Sequence, residues 1–265
     1  MKIAVEDLRV RLGGRDILHG VGFAAEPGTV TALVGPNGSG KTTLLRALSG
    51  MLPHRGRVRF GTRATAPREA IGYMAQDTAG RAVLTVFEVV LLGRLSRLGV
   101  KVSEGDLAAA SRALDVVGVA HLAEAHIGEL SGGQRQLVHF AQVLAREPKV
   151  ILLDEPTSAL DLRNQLHLLD LVRRETRARG LTTIVTLHDL NAAARFADRL
   201  VVLHDGRLAR CGVPETVIDD DLLAEVWGVA ARVTLDDQAL PTVIPLGALA
   251  AGSSRPAAPA PGGLA

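Results

Sequence analysis

The stretch GPNGSGKTT at residues 35–43 limits the possible folds of this chain more than any other feature of its sequence. An apolar run, VTALV, precedes it, and an amphipathic pattern, TLLRALSG, follows it. This order predicts a strand, a glycine-rich loop and a helix. In such a loop, backbone N–H groups and the positive end of the helix dipole point toward phosphate oxygens. The sequence therefore predicts a nucleoside triphosphate site.

Two side chains of this phosphate loop, residues 35–43, have distinct expected roles. Lys41 is expected to reach the outer phosphates, and the Thr42 hydroxyl is expected to take a position beside Mg²⁺. The predicted phosphate-binding residues are Gly35, Pro36, Asn37, Gly38, Ser39, Gly40, Lys41, Thr42 and Thr43. A nucleoside triphosphate and Mg²⁺ are therefore the predicted ligands.

The segment KVILLDEPTSALD, residues 149–161, supplies two adjacent acids after an apolar run. The predicted strand ends at Asp154, whose carboxylate can support Mg²⁺ through water. Glu155 follows it and can orient or deprotonate an attacking water. Taken alone, the two acids would fit the start of an exposed loop equally well. Their occurrence after a phosphate loop favours the catalytic interpretation.

Apolar runs at residues 30–34, 150–153, 183–187 and 200–203 are separated in several places by helical patterns. Such runs are typical of strands that are buried on both faces of a largely parallel sheet. We therefore predict an α/β fold with a mostly parallel core sheet. More alternating segments near residues 4–10 and 58–60 predict an antiparallel β subdomain, and the pattern over residues 77–146 predicts an inserted α-helical subdomain.

The C-terminal part of the chain carries weaker signals. LHDGRL, around Asp205 and Gly206, predicts a hairpin turn. The three acids at 219–221 stand near a predicted helix start, and capping is favoured over metal binding because His and further acids are missing at ligand spacing. We place the end of the main domain at residue 225 and a short extension at 226–250. The Pro-, Gly- and Ala-rich tail at 251–265 is predicted to be disordered.

The segment LSGGQ, residues 130–134, places two glycines at the predicted start of an amphipathic helix. Ser131 beside bare glycine backbone would make an anion site similar to that of the phosphate loop. A plain helix cap after a flexible turn fits the same residues, and the local sequence alone favours that interpretation over the anion site. The apolar residues of the helix recur at helical spacing: Leu137, Phe140, Ala141 and Leu144.

The order of the motifs carries a family resemblance. The phosphate loop is followed by YMAQD, LSGGQ, ILLDEP, SALD and TLHDL. Over roughly residues 1–225 this order resembles the nucleotide-binding subunit of ATP-binding cassette (ABC) transporters. The resemblance implies that the nucleotide is ATP and that two copies form a head-to-tail homodimer around two ATP molecules. The residues implied to contact the γ-phosphate of ATP held by the second copy are Ser131, Gly132, Gly133 and Gln134.

The same resemblance assigns roles to three further residues. Gln76 would contact Mg²⁺, as Thr42 and Asp154 would, and would also contact the attacking water and sense the membrane partner. Asp161 would lie at the dimer interface. His188 would contact the γ-phosphate and hold the catalytic Glu155 in place. Since His188 follows the apolar run TTIVTL, it should emerge at the sheet edge where α/β proteins bind ligands.

One position departs from the family pattern and predicts altered nucleotide selectivity. Family members usually stack an aromatic residue of the first strand region on adenine, whereas LRVRLGGRDIL has none and places Leu12 there. Stacking on a base contributes about 1–3 kcal/mol. We therefore expect weaker discrimination between ATP and GTP than is usual, measured by equilibrium titration with both nucleotides. A strong preference for ATP, with Leu12 in contact with the adenine ring, would contradict this expectation.

Several segments resemble a particular group within the family. LTVFEVVLLGRLSRLG and DLNAAARFADRLVVLHDGRL are similar to ATPases that energise uptake of iron siderophores, haem or cobalamin. The resemblance implies integral-membrane permease subunits as partners and, indirectly, an external substrate-binding protein. The expected location is the cytoplasmic face of the cell membrane. Another kind of importer, or an exporter, stays open because some exporter ATPases are also encoded separately.

A non-transport ATP switch in DNA repair or translation is disfavoured by the sequence. Repair relatives insert a long coiled coil before LSGGQ, translation relatives usually join two cassettes, and this sequence has neither feature. The net charge is only +2 and the basic residues are scattered, so no nucleic-acid partner is expected. The single cysteine, Cys211, excludes an internal disulfide. The sequence has no run of 18 apolar residues that would span a bilayer.

Overall fold

The structure is a computed structural model that describes residues 1–64, 68–75, 83–94, 102–158 and 160–249. Its strands in chain order are β1 Ile3–Leu12, β2 Arg15–Ala25, β3 Thr29–Val34, β4 Arg55–Phe60, β5 Ile71–Met74, β6 Val150–Leu153, β7 Thr182–Thr186, β8 Arg199–His204, β9 Arg207–Gly212, β10 Val229–Leu235 and β11 Pro241–Ala248. Its α-helices are α1 Lys41–Leu48, α2 Val86–Leu92, α3 Glu104–Val117, α4 Gly132–Ala145, α5 Leu162–Arg179, α6 Leu190–Phe196, α7 Pro214–Val217 and α8 Asp220–Leu222.

The core is a six-stranded sheet in the order β5-β6-β7-β3-β8-β9. Strands β5, β6, β7, β3 and β8 run parallel to one another. The edge strand β9 pairs antiparallel with β8. The four apolar runs of the sequence form β3, β6, β7 and β8, which confirms the predicted parallel core. Their burial is nearly complete because both faces of the sheet are covered.

Alternate residues of the core sheet face two separate apolar layers. Val30, Ala32 and Val34 of β3 pack in a layer with buried residues of α2 to α6. Leu33 faces the opposite layer, which also contains Leu44 and other residues of α1 and of the antiparallel sheet. Full burial of an aliphatic side chain contributes about 1.5–3 kcal/mol. The two layers therefore fix the position of the edge at which the chain leaves β3 for the phosphate loop.

The antiparallel subdomain is a three-stranded sheet in the order β2-β1-β4. The two alternating segments of the sequence lie in β1 and β4, as predicted, whereas β2 was not among the predicted strands. The predicted hairpin turn joins β8 to β9. Asp205 and Gly206 there have positive φ angles of 46° and 70°, the backbone conformation that a tight hairpin turn requires.

Helices α2, α3 and α4 pack against one another within the predicted helical insertion. Thr85 and Ser103 cap the starts of α2 and α3. In each capping box the Thr or Ser hydroxyl accepts a hydrogen bond from the backbone N–H three residues on, and the acid at that position accepts one from the capping residue's own N–H. The described residues of the segment 77–146 are helical apart from turns and a bridge between Thr85 and His126. The outer boundaries of the insertion stay a prediction.

The extension after residue 225 contains the antiparallel hairpin β10-β11, which the sequence did not predict. The side-chain amide of Asn191 in α6 donates to the Val243 carbonyl at 3.2 Å, and its oxygen accepts from the Val243 N–H at 2.7 Å. Asp220 in α8 accepts from the Val233 N–H at 2.8 Å. The hairpin is thereby attached to two helices. The predicted disordered tail at 251–265 lies outside the described residues.

Asp219 caps the helix that follows it, as predicted. Its Oδ1 accepts from the Leu222 N–H at 2.7 Å, and its Oδ2 accepts from the Arg210 guanidinium at 2.6 Å. Asp219 therefore caps the helix start and also forms an ion pair with Arg210. Within the described ranges of the chain, no helix combines the length and the apolar character that crossing a bilayer requires.

Candidate active site

The phosphate loop, the acidic pair and His188 meet at one edge of the core sheet. The loop leaves β3, Asp154 and Glu155 follow β6, and His188 follows β7. These three strands are adjacent and parallel, so their carboxyl ends lie side by side. This is the edge at which open α/β sheets bind ligands.

The start of α1 forms a cradle of the kind that binds phosphate. Gly40 is its N-cap residue, with a φ angle of 101° and no side chain to satisfy the N–H groups of the first turn. A Cβ atom on Gly40 would lie 2.6 Å from Leu18 Cδ2, so glycine is required by space and by backbone conformation. The buried Ser39 Oγ has no hydrogen-bond partner within the described part of the chain. The N–H groups of the first turn of α1 are thus the donors that an anion at this helix start can use.

A cavity of about 190 Å³ opens beside this cradle. It brings together residues that the sequence predicted for phosphate binding and for catalysis. Its lining residues are Ile17, Asn37, Gly38, Gly40, Lys41, Thr42, Thr43 and Glu155. The base of the predicted reaction therefore faces the same space as the phosphate loop.

Lys41 is buried and faces the loop. Its Nζ donates to the carbonyl oxygens of Gly35 at 2.8 Å and Pro36 at 2.9 Å. Burial lowers the pKa of Lys41 from its ordinary value, and the neighbouring Glu155 and Asp154 carboxylates oppose this shift. Two carbonyl groups are weaker partners for a buried ammonium than phosphate oxygens, so the site favours an added anion.

Replacing Lys41 by Ala is expected to weaken nucleotide binding roughly 10- to 150-fold, since a hydrogen bond to a charged group contributes about 1.5–3 kcal/mol. Equilibrium titration with a fluorescent ATP analogue measures the change. Lys149→Ala is the matched control because it removes a positive charge from an exposed position. Nearly equal affinities of the two variants would contradict a phosphate contact by Lys41.

Asp154 is buried and surrounded by hydroxyl groups. Its Oδ1 lies 3.0 Å from Thr42 Oγ1 and 3.2 Å from Thr186 Oγ1, and its Oδ2 lies 3.1 Å from the Tyr73 hydroxyl. Carboxylate and hydroxyl oxygens are the ligands that Mg²⁺ prefers, so Thr42 and Asp154 fit the metal site that the sequence predicted. The other metal-binding candidate, Gln76, lies outside the described residues.

Tyr73 and Thr186 are site residues that the sequence interpretation missed. Tyr73 lies in β5 and Thr186 ends β7, the two neighbours of β6 in the sheet. Their partner is Asp154 at the end of β6, so strand order could have suggested them once β5 was recognised. Burial and the charge of Asp154 raise the pKa of Tyr73 to about 12, so its hydroxyl is neutral at pH 7 and can donate to the carboxylate.

Glu155 is held at both its backbone and its side chain. Its φ angle of 50° lies in the left-handed region, which is uncommon for a residue other than glycine. Its N–H donates to Thr186 Oγ1 at 2.6 Å, which stabilises this turn. Its Oε1 lies 2.7 Å from His188 Nε2. The side chains of Glu155 and His188 are 18% and 47% exposed, so the carboxylate is screened while the imidazole reaches outward.

The LSGGQ segment begins α4 as a capped helix. Ser131 Oγ accepts from the Gln134 N–H at 3.3 Å, and Gln134 Oε1 accepts from the Ser131 N–H at 2.9 Å. Asp161 similarly begins α5 and accepts from the Asn164 N–H at 2.8 Å. None of the cavity-lining residues belongs to LSGGQ or is Asp161. Leu12 ends β1 and is 36% exposed.

Comparison with known proteins gives one family match and relatives of nearly full length. The model of the ABC transporter family matches residues 18–158. The hemin import ATP-binding protein HmuV of Roseobacter denitrificans is 43% identical over 88% of this chain and 93% of its own length. HmuV of Chelativorans is 41% identical over 92% of this chain and 98% of its own length. The ferric enterobactin transport ATP-binding protein FepC of Escherichia coli is 35% identical over 91% of this chain and 93% of its own length.

Solved structures agree with these sequence relatives. A chain of a metal-chelate type ABC transporter in an inward-facing conformation superposes with a TM-score of 0.83 and 29% identity, covering 92% of this chain and 97% of that chain. An ATP-binding cassette of an ABC transporter in its ADP conformation has a TM-score of 0.78 and 27% identity, and the match covers 86% of this chain and 98% of that chain. The similarity therefore extends over the core sheet and the helical segment together.

Proposed function

The chain belongs to the ABC transporter family as one of its ATPases, and on this basis we propose that it powers the import of haem through a separate membrane permease. ATP hydrolysis would supply the energy, and the cargo would never contact this chain. The proposal narrows the group of iron-siderophore, haem and cobalamin importers that the sequence resembles.

Similarity to hemin import proteins carries the choice of cargo. Two of these proteins are 43% and 41% identical to the chain, whereas the ferric enterobactin protein is 35% identical over a similar length. The similarity covers at least 88% of this chain in all three cases, so it includes the helical segment expected to contact a permease. Ferric siderophore import is the second candidate because of the enterobactin relative.

The contacts at the sheet edge support the catalytic roles assigned in this proposal. Glu155 would accept a proton from the attacking water, and His188 would hold its carboxylate toward the γ-phosphate. The separation of 2.7 Å between His188 Nε2 and Glu155 Oε1 supports this pairing. Lys41 and the N–H groups of α1 would neutralise phosphate charge. Thr42 and Asp154, together with Gln76, would hold Mg²⁺, which would supply further neutralisation of phosphate charge.

We propose that the active unit is a homodimer in which each ATP lies between two copies. The cavity beside the phosphate loop is open, and LSGGQ and Asp161 of the same chain do not line it. Ser131, Gly132, Gly133, Gln134 and Asp161 would instead act on ATP held by the other copy. The capped start of α4 supports this role, because its first-turn N–H groups and helix dipole favour an anion.

The expected partners and location follow from the same assignment. Two copies would bind the permease subunits at the cytoplasmic face of the membrane, and an external binding protein would deliver haem on the opposite side. The packed helices α2, α3 and α4 are the segment expected to contact the permease. We propose no nucleic-acid partner for this chain.

Haem uptake in a strain that lacks the gene tests the proposal. Uptake of ⁵⁵Fe-haemin should be lost, restored by the wild-type chain and by Glu215→Gln, and not restored by Glu155→Gln. Glu215 is a suitable control because its carboxylate is exposed in α7, outside the cavity. Unchanged haemin uptake in the deletion strain, with loss of ferric enterobactin uptake instead, would overturn the cargo while leaving the ATPase assignment intact.

A further inference from the structure

Gly133, the second glycine of LSGGQ, is not required by its backbone conformation. It lies in the first turn of α4, and it is not among the described glycines with positive φ. An α-helical position accepts any residue except proline with little strain. Backbone strain therefore does not explain the glycine, whereas the space around it does limit which residue fits there.

Asn164 occupies that space. A Cβ atom on Gly133 would lie 2.8 Å from Asn164 Nδ2, 2.9 Å from its Cγ and 3.3 Å from its Cβ. All three atoms belong to a side chain from the first turn of α5. Gly133 is buried, so the start of α4 and the start of α5 pack directly against each other at this point.

The same amide of Asn164 also holds Asp161. The side-chain Nδ2 of Asn164 donates to Asp161 Oδ2 at 3.0 Å, and the backbone N–H of Asn164 donates to Asp161 Oδ1 at 2.8 Å. A Cβ atom at Gly133 would force the Asn164 amide to shift from this position, which would weaken the first of these two bonds. The Asp161 carboxylate would then depend mainly on its backbone contact, and its orientation would be less restricted.

We propose that Asn164 is a positioning residue that locks the LSGGQ helix start to Asp161, so that both approach ATP of the other copy as one rigid unit. The inference rests on the proposed dimer, because it concerns two elements that would act together across its interface. Gly133 is then required for this lock, because the three nearest atoms to a Cβ atom there all belong to Asn164. The alternative is that Gly133 acts on phosphate alone and independently of Asn164.

A double-mutant cycle separates the two accounts. Gly133→Ala, Asn164→Gly and the double variant are made in the Glu155→Gln background, and the ATP concentration for half-maximal dimerisation is measured for each. If Asn164 forms the lock, Gly133→Ala should raise that concentration at least about tenfold when Asn164 is present and less than about twofold when residue 164 is glycine. ATP binding by the single chain should stay unchanged in all variants.

Gly128→Ala is the matched control, because a Cβ atom there would meet nothing within 4 Å. It should leave dimerisation unchanged. Asn164→Ala replaces Asn164→Gly if the latter lowers thermal stability, since alanine keeps the helix start but removes the amide. An equal effect of Gly133→Ala in both backgrounds would overturn the lock. If the Glu155→Gln parent itself fails to dimerise with ATP, the proposed dimer fails, and this result is distinct from an additive cycle.

Discussion

Glu155→Gln is expected to reduce the rate of ATP hydrolysis by about 10²- to 10⁴-fold while ATP still binds, because general base catalysis contributes roughly this factor. Glutamine has nearly the same size as glutamate but cannot accept the proton of the attacking water. The loop should keep its conformation, since the Glu155 N–H bond to Thr186 Oγ1 at 2.6 Å does not involve the carboxylate. Phosphate release and equilibrium ATP binding are measured on the same preparation.

Glu215→Gln serves as the matched control for this variant. It makes the same chemical change at an exposed position and should hydrolyse ATP at the wild-type rate. Turnover of Glu155→Gln within a few-fold of wild type would show that Glu155 is not the base. Loss of ATP binding together with hydrolysis would instead show that Glu155 is needed to form the nucleotide site.

Ser131→Asp is expected to abolish hydrolysis while leaving ATP binding by the single chain intact. Asp is as good an N-cap as Ser, so the start of α4 should persist. The new carboxylate would face the γ-phosphate of the other copy. Two like charges 4 Å apart repel by about 4 kcal/mol at an effective dielectric constant of about 20, which corresponds to a loss on the order of 10³-fold. The steady-state rate of ATP hydrolysis measures the expected loss. An equilibrium titration of the single chain with ATP measures whether binding stays intact.

Ser131→Asn is the matched control because asparagine also caps helices but carries no charge. It should keep a much larger fraction of the wild-type rate. Equal losses in the Asp and Asn variants would mean that the hydroxyl or the helix start matters, and not charge opposite a phosphate. Full activity of the Asp variant would place Ser131 away from any bound phosphate.

The central part of the fold follows from the sequence because its signals are local and strong. The runs that form β3, β6, β7 and β8 are mainly apolar and β-branched, and such runs are typical of strands that are buried on both faces of a parallel sheet. The loop at residues 35–43 specifies its strand and helix on either side. The resemblance predicts a contact between His188 and Glu155, and His188 Nε2 lies 2.7 Å from Glu155 Oε1.

Other parts of the molecule depend on contacts distant in sequence. Strand β5 has only four residues, and it is stabilised by pairing with β6; Tyr73 could not be assigned to the site without it. The hairpin β10-β11 contains Pro241 and Pro245, which weaken any strand signal. It is held by Asn191 from α6 and Asp220 from α8. Such pairings appear only when the chain is folded.

The LSGGQ glycines show how structure refines a motif. The local sequence favours a plain cap over an anion site, and Ser131 and Gln134 do form a complete capping box. Capping and anion binding are compatible, because the cap uses the Gln134 N–H while other N–H groups of the first turn stay available. The contact between Gly133 and Asn164 adds a packing reason for the second glycine that the motif alone does not reveal.

The mass of the Glu155→Gln variant in solution, measured by light scattering with Mg²⁺ and ATP, tests most directly whether two copies share each ATP. One chain has a mass of 27.8 kDa. The account predicts that ATP doubles this mass and ADP does not, and that Glu155→Gln combined with Ser131→Asp binds ATP but stays at 27.8 kDa. A Glu155→Gln chain that is saturated with ATP and remains at 27.8 kDa would contradict the shared site.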